Sequence, residues 1–124
     1  MPAWSYVLRL RDDCYYCGAT KNYTYRIHQH FNHDGGAIWC YMHKPIDVVK
    51  MQEHDNYHQA FLQEKQNTID YMRKHGIRKV RGADAVNCQR GCYRPEAIRF
   101  WVPLELREDA LAGRLGEVDP PIVI

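Results

Sequence analysis

Two short runs near the start of the chain limit its fold more than anything that follows. From Trp4 to Leu10, the residues Trp4, Tyr6, Leu8 and Leu10 alternate with Ser5, Val7 and Arg9. That is the two-residue period of a β-strand. Arg11-Asp12-Asp13 is a polar turn, and Cys14 to Ala19 is again aromatic and small. Two such runs across a short turn pair as an antiparallel hairpin. The rest of the chain reads as support for the surface this hairpin presents.

Thr20 or Asn22 can cap a helix after the hairpin. In it Tyr23, Ile27 and Phe31 make one apolar stripe, with Arg26 and His30 four apart on the neighbouring stripe. Asp34-Gly35-Gly36 ends that helix. Ala37 to Lys44, with Trp39, reads as a connector closed by Pro45, and Ile46 to Met51 reads as a third short strand. Asp55 or Asn56 caps the longest helix, which runs to His75 with Gly76 as its stop. Phe61, Leu62, Ile69 and Met72 are its expected buried stripe. Residues 77–97 read as irregular. Ile98 to Leu104 reads as a last strand, confined by Pro103 to an edge. Glu105 to Leu111 is expected to form a short helix, and Pro120 to Ile124 an extended tail.

With 124 residues the chain is long enough for one domain with its own core. The formal charge is only +2, too weak to announce a nucleic-acid partner. Its distribution says more. Residues 73–99 hold Arg73, Lys74, Arg78, Lys79, Arg81, Arg90, Arg94 and Arg99 against Asp84 and Glu96, whereas the tail from Leu104 is mainly acidic. A basic middle of this kind suggests a face built for an anion. Five cysteines is an odd number, which suits free thiols in a reducing compartment. No apolar run approaches the roughly 20 residues a membrane span needs. The expectation is a soluble protein of the cytoplasm or nucleus, without a signal peptide or a membrane partner.

Tyr6, Tyr16, Arg26, His30 and Glu64 together suit phosphodiester hydrolysis. Cleavage needs a proton acceptor for water, a cation beside the phosphate, and usually a metal at the leaving oxygen. Arg26 offers a guanidinium that forks onto two phosphate oxygens. Glu64 offers a carboxylate for one Mg²⁺ or Mn²⁺. A tyrosine or His30 can position the water or take its proton. Gly18, beside Tyr16, leaves room for a close backbone or DNA strand.

The pair Trp4-Ser5-Tyr6 and Tyr16-Cys17-Gly18 resembles the two signature tripeptides of the GIY-YIG nuclease family. The helix with Arg26 and His30, the strand 46–51 and the helix carrying Ala60-Phe61-Leu62-Gln63-Glu64 continue that pattern in order. The runs 37–45 and 69–82 resemble a branch seen in large DNA viruses and microbial genomes. The resemblance implies an α+β fold, a β-β-α-β-α core with a three-stranded antiparallel sheet flanked by helices. It places the nuclease core at residues 1–82, with 83–124 as a C-terminal extension packed on it. It also implies a metal-dependent DNA endonuclease working by one-metal hydrolysis. The signature tyrosines fall on Tyr6 and Tyr16, the phosphate-binding arginine on Arg26, a following histidine on His30, and the metal-binding glutamate on Glu64. Gly18, Lys21, Arg73, Lys74, Arg78, Lys79 and Arg81 are the expected DNA contacts. One active site cuts one strand, so a homodimer is one route to double-strand cleavage. The first tripeptide lacks the family's Gly and Ile, and no Asn follows the metal-binding helix before Asn87.

A rival reading starts from the cysteines. Cys14-x-x-Cys17 and Cys40-x-x-His43 have the spacing of a structural zinc site, which would make this a non-enzymatic nucleic-acid-binding module. Against it, Cys14 and Cys17 are an odd distance apart and point to opposite faces of a regular strand. Another rival is a member of the same fold that binds DNA without cutting it.

Overall fold

The hairpin forms as expected. Strands β1 (Ala3–Leu10) and β2 (Tyr15–Thr20) pair antiparallel, with Tyr6 opposite Gly18, Val7 opposite Cys17 and Leu8 opposite Tyr16. The computed structural model describes residues 1–32 and 34–122. In the turn between the strands Asp12 and Asp13 take positive φ values of 65° and 58°, a region that short polar side chains tolerate.

Helix α1 (Tyr23–Asn32) follows, started by Asn22, whose side-chain oxygen accepts from the Tyr25 N–H at 3.1 Å. The stretch read as a connector contains a short helix, α2 (Ile38–Met42). It is anchored where the Trp39 indole N–H donates to the Tyr15 carbonyl at 3.0 Å. Strand β3 (Pro45–His54) is longer than the expected 46–51 and pairs antiparallel with β1. Helix α3 (Tyr57–His75) is capped by Asn56, which accepts from the Gln59 N–H at 2.9 Å. It stops at Gly76, whose φ of 91° only glycine adopts freely.

Two sequence expectations fail after α3. Residues 77–97 are not all irregular, because β4 (Val80–Gly82) runs parallel to β2. The sheet is therefore four-stranded and mixed, in the order β3-β1-β2-β4, where three antiparallel strands were expected. Three residues are too few to display a period, so this strand is invisible in the sequence. Nor is Ile98 to Leu104 a strand. Helix α4 (Pro95–Trp101) covers most of it, with Pro95 in the first turn, where a missing N–H is harmless. The buried residues Ile98, Trp101 and Val102 have helical spacing. A short helix, α5 (Arg107–Leu111), follows where expected. The tail docks as far as Ile122, whose N–H donates to Glu96 at 3.0 Å. Val123 and Ile124 lie outside the described residues.

The fold is α+β, with helices on both faces of the sheet. On one face Tyr6, Leu8, Leu10 and Tyr16 pack with Ile27 and Phe31 of α1 and with Trp39 and Cys40 of α2. On the other, Val7 and Cys17 pack with Ile69 and Met72 of α3 and with Ile98, Trp101, Leu106, Ala110 and Leu115. A fully buried aliphatic side chain contributes about 1.5–3 kcal/mol. The segment after residue 82 thus shares one core with the hairpin. On α3 the expected stripe holds in its second half, where Ile69 and Met72 are buried, but not in its first. Leu62 is exposed, and Ala60, Glu64, Asn67 and Thr68 are buried instead. Among the described residues no helix is long and apolar enough to cross a membrane.

Candidate active site

The strand alternation that buries Leu8 and Leu10 also turns Tyr6 and Tyr16 to the α1 side, where they meet polar groups. The Tyr6 hydroxyl lies 2.8 Å from His30 Nε2. The ring centres are 6.4 Å apart for Tyr6 and Tyr16, and 5.0 Å for Tyr16 and His30. Arg26, one turn before His30, faces both phenols. Its guanidinium is aimed by Gln29 at 3.1 Å and the Gly35 carbonyl at 3.2 Å. Four of the five expected residues therefore share one cluster.

His30 is the only buried side chain of α1, whereas Tyr23, on the expected apolar stripe, is exposed. Burial, with help from the Arg26 charge, holds the His30 pKa down to about 4, so the ring is neutral near pH 7. The Ala37 N–H donates to its Nδ1 at 3.4 Å. A neutral imidazole accepting there carries its proton on Nε2 and donates it to the Tyr6 oxygen. Burial pushes both phenols well above the usual tyrosine value, while Arg26 pulls the other way.

Gly18 has a different role from the one expected. A Cβ there would stand 2.3 Å from the Tyr6 ring, so its missing side chain makes room for Tyr6 rather than for DNA.

Glu64 belongs to α3, on the far face of the sheet. It reaches the cluster because β4 pairs only with Tyr15–Cys17, leaving the outer edge of β2 open beyond Cys17. There the Ala19 N–H points at the Glu64 carboxylate, which feels both Arg26 and Tyr16. Burial first, then the nearby Asp84, pushes the Glu64 pKa up to about 7. Asp84 was not singled out from the sequence. Nothing in its spacing marks it, and only the three-residue β4 brings it to α3. A hard carboxylate oxygen beside a phenol suits Mg²⁺ or Mn²⁺.

The expected DNA contacts divide. Lys21, Arg73 and Lys74 are exposed, Lys21 lying 5.7 Å over the Tyr57 ring. Lys79 is exposed but donates to the Asp12 carbonyl at 2.9 Å. Arg78 is drawn to the acidic tail, pairing with Asp119 at 2.7 Å. Arg81 cannot touch a phosphate in this fold, because it is wholly buried. Its guanidinium donates to the Ile77, Val80 and Asn87 carbonyls and the Tyr93 hydroxyl. It is stacked between Trp39 and Trp101 at 4.4 and 4.2 Å.

The four residues of the rival zinc reading are not assembled. Cys17 lies in the core on the α3 side, whereas Cys14 and Cys40 lie in the other. His43 bonds Asp12 at 3.1 Å. Among the described residues no group of three or more His, Cys, Asp or Glu side chains is placed to hold a metal.

Fold and site together define an α+β domain with a buried tyrosine–arginine–histidine cluster beside a carboxylate at the open end of a hairpin. The GIY-YIG catalytic domain matches residues 2–78, and the chain belongs to that family, whose nucleases act on DNA. It is also similar to a UPF0213 protein of Pediococcus pentosaceus, 34% identical over 79 residues that cover 58% of this chain and 82% of the relative. No solved structure matches the chain.

Proposed function

We propose that the protein is a divalent-metal-dependent DNA endonuclease. The observation that carries this reading is the convergence of Tyr6, Tyr16, Arg26 and His30 on one side of the hairpin with Glu64 arriving from the other. Arg26 forks onto the scissile phosphate and balances the charge that builds on its oxygens. Tyr16, the less enclosed of the two phenols, orients the attacking water, and as a phenolate held by the Arg26 charge it takes that water's proton and becomes the phenol. Tyr6, wholly enclosed and hydrogen-bonded to His30 at 2.8 Å, holds that arrangement in place. Glu64 would hold one Mg²⁺ or Mn²⁺, which when bound supplies charge stabilisation at the leaving 3′ oxygen. Lys21, Arg73 and Lys74 meet neighbouring phosphates, so binding weakens steeply with salt. One site cuts one strand, so cutting both takes a second copy or a second encounter.

Supercoiled plasmid with Mg²⁺ or Mn²⁺ tests the reading. Wild type is expected to nick it, and Glu64→Ala and Arg26→Ala are expected not to. Equal nicking by all three proteins sinks the assignment, and DNA binding without nicking leaves a cleavage-dead member of the fold.

A further inference from the structure

We propose that the outer edge of β3 pairs antiparallel with β3 of a second copy of this chain, joining the two sheets into one. The inference stands apart from the nuclease reading and goes beyond it.

The edge comes first. In the order β3-β1-β2-β4, β3 pairs among the described residues only with β1. It is the longest strand, ten residues from Pro45 to His54, whereas the opposite edge, β4, has three. The outward N–H and C=O groups of such a strand are a template for another. Its side chains are also unusually apolar for an edge. Ile46, Val48, Val49 and Met51 are each 39–47% exposed.

The bulge in β3 sets the register. Val7 pairs with Lys50 and Leu8 with Val48, so Val49 is an extra residue with no partner on β1. An unmatched bulge resists pairing, because two residues on one strand then face one on the other. For two identical antiparallel strands, one register sets bulge against bulge, with Val48 and Val49 facing Val49 and Val48 of the second copy. That register places Asp47 opposite Lys50 of the second copy, twice by symmetry. The two residues share one face of the sheet, since their partners on β1 are Arg9 and Val7. Both keep bonding capacity. Asp47 meets Arg9 at 3.0 Å with its side chain still 48% exposed, and Lys50 gives one donor of three to Asn67 Oδ1 at 3.2 Å. Registers centred on Asp47 or on Lys50 set like charges face to face. The favoured contact is apolar at its centre and flanked by opposite charges, which fixes both register and partner. It is isologous and uses up the edge, so association stops at two copies.

The test weighs the full chain in solution by sedimentation equilibrium, without DNA. Wild type is expected to reach twice the monomer mass as its concentration rises. Asp47→Lys and Lys50→Asp are each expected to weaken self-association about tenfold or more, because each puts two like-charge pairs across the axis. Mixed in equal amounts, the two variants are expected to pair with each other to within a few-fold of wild type, since each supplies the charge the other lacks. The chain carrying both reversals is expected to dimerise on its own. Glu108→Lys, on exposed α5, is expected to change nothing. A wild type that stays monomeric overturns the proposal. So does a dimer that both single variants keep, or a failure of both the mixture and the doubly reversed chain to associate. The nuclease reading fails separately, because a dimer that nicks no plasmid leaves the pairing standing.

Discussion

Arg26 and Arg81 look alike in the sequence, two arginines each expected to meet a phosphate, and the fold gives them opposite fates. Arg26 stands on α1 at the open end of the hairpin, half-buried, facing two phenols and aimed by Gln29 and the Gly35 carbonyl. Arg81 stands on β4, wholly enclosed between Trp39 and Trp101, its N–H groups given to carbonyls and to Tyr93. Neither has a carboxylate in ion-pair contact among the described residues. The difference is what remains free. The oxygens around Arg81 consume its donors, and it joins α2, β4 and the segment that follows. Arg26 has a guanidinium only partly used, next to groups that can handle a proton. A buried cation whose donors are all satisfied is a structural staple, and one left with spare donors beside acid–base groups is equipped for chemistry.

The comparison breaks most sharply on Arg26→Ala. Plasmid nicking should fall by about 10³-fold, the size of losing one preorganised charge-stabilising group, while the urea midpoint of the variant stays close to wild type. A variant that nicks normally would put Arg26 on the structural side.

Arg81→Ala should do the reverse. It leaves several buried carbonyls unpaired and empties the space between two indoles, so unfolding in urea should show a loss of about 3–5 kcal/mol. The folded fraction should nick at the wild-type rate. Arg81→Lys should not rescue stability, because an ammonium cannot reproduce the planar fork.

Acid should act on the Arg26 side through His30. Its folded pKa of about 4 lies below the ordinary histidine value of 6.5, so the unfolded chain binds the proton more readily. The stability this group contributes is complete above pH 6.5 and is lost as pH falls through about 4. The loss should reach about 3 kcal/mol. Urea titrations of wild type between pH 7 and 4 should show it, and His30→Gln should flatten that part of the curve.

The smallest effect belongs to cations that are neither enclosed nor poised. Lys74→Ala should lower the slope of log affinity against log salt for duplex DNA by about 1, with a stability change within about 0.5 kcal/mol. An unchanged slope would place Lys74 off the DNA path.

Much of this molecule was legible in order along the chain. The alternation of residues 4–10, the caps at Asn22 and Asn56 and the stop at Gly76 are local effects, because strand period, side-chain capping and positive φ each depend on a few neighbouring residues. The tyrosines, Arg26 and His30 come from neighbouring segments and do meet, but in one buried cluster rather than on a surface. Contacts between distant segments were not legible. β4 exists only because β2 offers it an edge. Ile98 to Leu104 reads as a strand along the chain, and only the core, taking Ile98, Trp101 and Val102 on one helical side, makes 95–101 a helix. Gly18 carried no sign that the Tyr6 ring would fill its place.

The sequence by itself determined the hairpin, the two longer helices and the residue types from which a site can be made. Tertiary structure alone decided which of those residues are available. Charge is a property of a side chain, but its use depends on burial and partners, and those come from segments tens of residues away. The short reach of β4 leaves the edge of β2 open to Glu64. The same strand encloses Arg81.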